Sequence, residues 1–217
     1  MAIAYVATSQ GRAISATSLT VSHTIASGSD RALITAVECQ TGDNITGVTF
    51  NGTSMTQYVK VNSTVASFWN YLYVLAAPAV ATANIVISAS GSRTIIGLSA
   101  NYTDVNQTTP LNVSNSNIAT SSSFTVSLTT TTDNSWLIGT ARNNAAGTQS
   151  AGSSTTYRNN NSGDVGYQLY DSNGAKTPTG SYSLNVSFTT SSLYCMLAAA
   201  INPVGSTTPF IPKIIMS

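Results

Sequence analysis

Short runs of alternating or continuous apolar residues, rich in Val, Ile, Thr and Tyr, recur along the chain between clusters of Gly, Asn, Asp and Ser. No 3.6-residue apolar period holds over ten residues, so the pattern predicts strands and no helices. Candidate strands fall at 3–8, 18–25, 32–40, 46–50, 55–61, 67–76, 83–89 and 94–102, then at 112–118, 123–130, 135–142, 153–158, 165–171, 181–188 and 193–201. Strict alternation in 18–25 sets Leu19, Val21 and His23 on one face and Thr20, Ser22 and Thr24 on the other. Leu33, Val37, Val74, Ile85, Ile95, Leu137, Leu184, Leu197 and Ile201 are the expected core. Asn51-Gly52 between VTF and TSM predicts a tight hairpin with both residues at positive φ. Ser172-Asn173-Gly174 marks another turn, and Ala77-Pro78 ends the strand that starts near Phe68, because proline cannot donate to a ladder.

The two halves of the chain echo each other at an offset of about a hundred residues. SLTVSHTIASGSDRALITAV (18–37) parallels SFTVSLTTTTDNSWLIGTA (123–141), and the stretch from Tyr71 to Tyr102 parallels that from Tyr167 to Asn202. Either half alone offers few large apolar residues and would bury little. The expected fold is therefore all-β, one jelly-roll-like β-sandwich built from two related halves over residues 1–203, in preference to the alternative of two tandem sandwiches. Residues 204–217 differ: a Gly-Ser-Thr-Thr stretch leads to Phe210, Ile211, Ile214 and Ile215, broken by Pro209 and Pro212. Proline there favours an extended apolar tail over a helix. A tail of this kind is expected to be an assembly arm whose four apolar side chains bury against a neighbour, the alternative being a tail folded back onto its own sandwich or added there as an edge strand.

Composition narrows the function. Only 7% of the 217 residues are charged, Lys and Arg number 8, Asp and Glu 7, and there is one His. Ser and Thr together number 64. No basic field collects nucleic acid, no polybasic patch faces a membrane, and no apolar run approaches the roughly 20 residues of a membrane helix. The N-terminus lacks the basic and apolar regions of a signal peptide. Cys39 and Cys195 sit in apolar runs; two buried free thiols are expected, with a disulfide between core strands as the alternative. Their spacing fits no zinc pattern.

The motif order SDRALITAV (29–37), TGVTFNGTSMTQ (46–57), YVLAAPAVATANIVIS (73–88), GLSANYTDVNQTTP (97–110) and MLAAAINP (196–203) resembles a β-sandwich domain family of bacterial extracellular proteins and bacteriophage virion proteins. The resemblance spans about 200 residues and implies a jelly-roll-like sandwich without catalytic residues. A chain with no signal peptide, no companion catalytic domain and an apolar tail departs from the secreted members and favours the virion context.

Candidate chemistry is sparse. His23 has no matched partner motif and reads as structural, and there is no Gly-X-Ser-X-Gly elbow. Asp30, Glu38, Asp43, Asp104, Asp133, Asp164 and Asp171 form no pair at glycosidase spacing, and most fall in turns. No catalytic, cofactor or metal site is expected. Trp69, Tyr71 and Tyr73 share a strand face, as core packing or as a sugar-stacking platform. Tyr157, Tyr167 and Tyr170, beside the Asn-rich loop RNNNSGD, are a second candidate glycan platform. These features point first to a non-enzymatic structural protein of a virus particle, a phage capsid decoration protein or a fibre or spike component. Such a protein would be homo-oligomeric or bound to other virion proteins and assembled in the host cytoplasm. The rival readings are a carbohydrate-binding or adhesive module and a subunit of a cell-surface filament, either one extracellular or at the cell surface.

Overall fold

The computed structural model describes residues 2–63, 67–145, 148–161 and 166–205. Among them are thirteen strands: β1 (Ala4–Ile25), β2 (Ala32–Gln40), β3 (Ile45–Phe50), β4 (Thr53–Ser54), β5 (Thr56–Asn62), β6 (Phe68–Ala76), β7 (Ala81–Thr103), β8 (Leu111–Thr129), β9 (Trp136–Asn143), β10 (Gln149–Ala151), β11 (Thr156–Asn161), β12 (Gly166–Asp171) and β13 (Ser181–Ile201). They form two antiparallel sheets, and each sheet is built wholly from one half of the chain.

The halves share one topology. In the first, β1 runs the whole length of β7, from Ala4 opposite Thr103 to Ile25 opposite Ala81. On the other side of β7, β3 pairs with its first part and β2 with its second, followed outward by β6 and β5. In the second, β8 runs along β13, β10 and β9 pair with its first and second parts, and β12 and β11 follow. The repeat seen in the sequence is thus a repeat of strand connections.

Both long ribbons bulge at mid-length. β1 slips register between Ala13 and Ser18 against β7, with Ser15 at φ 51°, and β13 slips between Ser187 and Ser192 against β8. Bulges bend strands, and each ribbon doubles back so that its two ends face each other. In β1 this brings the backbone of Gly11 against Leu19 and Val21, where a Cβ would stand 2.6 Å from Val21 Cγ2. Each half then encloses its own core: Leu19, Leu33, Val37, Phe50, Tyr71 and Ile85 in the first, and Phe124, Leu137, Tyr170, Leu184 and Met196 in the second. A third core lies between the halves, where Ile34, Leu72, Leu98 and Tyr102 meet Trp136, Ile138, Leu169, Leu197 and Ile201.

The nine expected core residues are all buried. Asn51 and Gly52 take φ 49° and 77° and join β3 to β4, and β6 ends one residue before Ala77-Pro78. The chain leaves the described residues beside the link between halves: Val105 bridges Pro203, and Val204 N–H donates to Asp104 O at 2.9 Å. Phe210, Ile211, Ile214 and Ile215 lie outside the described residues.

Candidate functional site

The glycan platform expected at Tyr157, Tyr167 and Tyr170 does not exist as a surface. Tyr157 is 43% exposed, but Tyr167 and Tyr170 are fully buried. The reason is strand geometry. Residues three apart point to opposite faces, and β12 is hydrogen-bonded on both sides, by β9 and β11. Tyr167 therefore enters the core between the halves and Tyr170 the core of the second half. The Tyr170 hydroxyl donates to Gln149 Oε1 at 2.8 Å.

His23 is 3% exposed. Its Nε2 lies 3.2 Å from Asn101 Oδ1 and its Nδ1 2.9 Å from Ser9 Oγ. Asn101 Oδ1 can only accept, so Nε2 carries the proton and Nδ1 accepts from the Ser9 hydroxyl. Burial pushes the imidazole below its usual 6.5, against the Asn101 hydrogen bond. Ser9 and Asn101 were missed in the sequence because the ribbon's doubling back, which no local pattern announces, brings them to His23.

Three of the carboxylates, Glu38, Asp43 and Asp171, are held in ion pairs. Glu38, fully buried, pairs with Arg142 across the two halves at 2.8 Å, and Arg142 lies 3.7 Å over the Phe68 ring. Burial pushes the Glu38 carboxyl up, and the Arg142 guanidinium opposes that. Asp171 accepts from Arg158 Nε at 2.7 Å and from the Tyr102 hydroxyl at 2.9 Å, again joining the halves. Asp43 takes the Lys60 ammonium and the Tyr71 hydroxyl, the latter at 2.7 Å, and Lys60 chiefly holds its carboxyl below the usual range. Asp164 lies outside the described residues. Cys39 and Cys195 are buried free thiols; burial raises both, Cys195 to about 12, which keeps them protonated and unreactive. Among the described residues no three His, Cys, Asp or Glu side chains gather as metal ligands would.

The aromatic stripe divides. Tyr71 and Tyr73 are buried in the first-half core, while Trp69, at its end, is half-buried. The Trp69 ring is stacked beside Tyr71, centroids 6.4 Å apart at 26°, with the Lys60 ammonium 5.2 Å from its centre. It lines a cavity of about 350 Å³ with Thr41, Gly42, Asn62 and Ser67. Alternation along β6 finds Trp69; the other four come from strand ends and loops whose convergence is tertiary.

No family model matches the chain, and neither a curated protein nor a solved structure matches it.

Proposed function

We propose that this chain is a non-enzymatic structural component of a virus particle, a phage capsid decoration protein or a fibre or spike subunit. One observation carries the reading. Each half presents an outer face of exposed hydroxyls at matching positions, Ser18, Thr20, Ser22 and Thr24 in β1 and Ser123, Thr125, Ser127 and Thr129 in β8. These are knitted to their neighbours, Thr24 to Thr82 at 2.8 Å, Thr125 to Asn185 at 2.7 Å and Ser127 to Ser183 at 2.8 Å. Two uncharged polar faces on a rigid stacked body suit a tile whose contacts are insensitive to salt. How several titratable groups are used agrees with this: Glu38, Asp43 and Asp171 are in ion pairs, and the histidine is in a buried hydrogen-bonded set. The rival reading as a carbohydrate-binding module is favoured by the cavity at Trp69.

Association through the apolar tail is the part that can be tested directly. A chain ending at Gly205, which keeps the Val204 hydrogen bond to Asp104, removes Phe210, Ile211, Ile214 and Ile215, each worth roughly 1.5–3 kcal/mol when buried. Sedimentation velocity should show the full chain associating and the shortened one monomeric, with equal melting temperatures. A sharply lowered melting temperature with unchanged association would assign the tail to its own sandwich and remove this support.

A further inference from the structure

The cavity at Trp69 has a lining that selects one kind of ligand. Of the two tryptophans, Trp136 is packed in the core between the halves, whereas Trp69 turns part of its ring to the cavity. Among the described residues the other side chains on the wall, from Thr41, Asn62 and Ser67, are hydroxyl or amide, and Gly42 adds bare backbone. The walls are tied together, since Thr41 N–H donates to Ser67 O at 2.6 Å. Thr41 Oγ1 donates to Gln40 O at 2.7 Å, which leaves its lone pairs free to accept. Lys60, beside Trp69, is neutralised by Asp43.

Each feature excludes a class. A lipid or apolar peptide would need more apolar wall than Trp69, the one apolar side chain among the described lining residues, supplies. A nucleotide would bring phosphate, and the nearby ammonium already has its carboxylate. A cation would find that carboxylate taken. What remains is an uncharged molecule with hydroxyls around its rim and an apolar C–H face. An aromatic ring's electron-rich π face attracts polarised C–H groups as it does cations. The volume falls in the lower part of the roughly 300–1,000 Å³ of small-molecule sites.

We propose that this cavity binds a neutral saccharide, one pyranose ring lying against Trp69 with its hydroxyls met by Thr41, Asn62 and Ser67. The described lining comes only from the first half of the chain, and glycan binding and self-association are read separately, so this test and that of the assembly role fail separately.

The full chain should be screened on an array of neutral, sialylated and sulfated oligosaccharides, and the best neutral binder titrated by tryptophan fluorescence. Binding of a neutral glycan is expected, with a blue shift or quench from Trp69. Trp69→Ala should weaken it at least tenfold and Trp69→Phe by less than about threefold. Because Trp69 also touches the core, Ser67→Tyr serves as a second variant: the position is exposed and the added bulk fills the cavity. Although φ 53° at Ser67 strains a bulky residue and lowers the melting temperature somewhat, the folded variant, titrated well below its melting temperature, should not bind. The proposal is overturned if no neutral glycan binds at millimolar concentration, if only acidic glycans bind, or if Ser67→Tyr binds as the parent does.

Discussion

At the scale of single residues, His23 shows how an ionisable group becomes a structural one. It is held between Ser9 and Asn101, and desolvation disfavours its charged form. Its folded pKa lies below its unfolded value of about 6.5, so between the two the unfolded chain binds more protons. The contribution of His23 is therefore complete above about pH 6.5 and is lost as the pH falls through that value toward the folded pKa. Thermal melts across pH 7.5 to 5 should show the parent losing stability on the acid side. His23→Gln, which keeps a donor for Asn101 and cannot be protonated, should lose markedly less over the same window. An identical slope in the variant would place the acid sensitivity elsewhere.

At the scale of elements, the long bent ribbons decide the fold, and their glycines mark where strands approach. Gly139 in β9 is buried, and a Cβ there would stand 2.9 Å from Leu184 Cδ1 and 3.0 Å from the backbone oxygen of Leu197. That oxygen belongs to the paired strand and cannot move freely, so Gly139→Ala should cost about 1–3 kcal/mol. Gly47→Ala in β3, with nothing within 4 Å, should change stability by no more than about 0.5 kcal/mol; equal melting shifts for the two would contradict the packing. The ribbons also show how far patterning reaches. Leu19, Val21, Ile85 and Leu184 announce buried faces by alternation, and those strands were legible. Residues 9–17, polar and holding Gly11, read as a break between two strands, yet they carry β1 through its bulge because β7 supplies a partner along the whole length. The same happens in β7, β8 and β13, where paired candidates fuse. The two- and three-residue strands β4 and β10 are too short for any period. The site was less legible than the fold: Trp69 shows a face, but Thr41, Asn62 and Ser67 carry no local mark of meeting it.

At the scale of the molecule, the seam between the halves repeats a position with opposite charge. ALITAVECQ of β2 and WLIGTARN of β9 align through Leu33 with Leu137 and Ile34 with Ile138, which matches Glu38 to Arg142. Equivalent positions of the repeat thus meet each other, acid against base, at 2.8 Å and with side chains 0% and 3% exposed. Such a pair adds little over apolar packing, because desolvation consumes most of its attraction, but breaking it strands a buried charge. Arg142→Met should therefore cost about 3–5 kcal/mol, a fall in melting temperature of about 10 °C for a chain of this length. The cost should shrink as the pH is lowered, because burial already raises the Glu38 carboxyl, and without Arg142 it protonates more readily still. Replacing both partners, Glu38→Met with Arg142→Met, removes both charges and keeps much of the volume, so the double variant should melt well above the Arg142→Met single. If the single substitution costs less than about 1 kcal/mol, or the double is as unstable as the two singles summed, the halves are held by their apolar seam alone and the matched charges contribute no coupling.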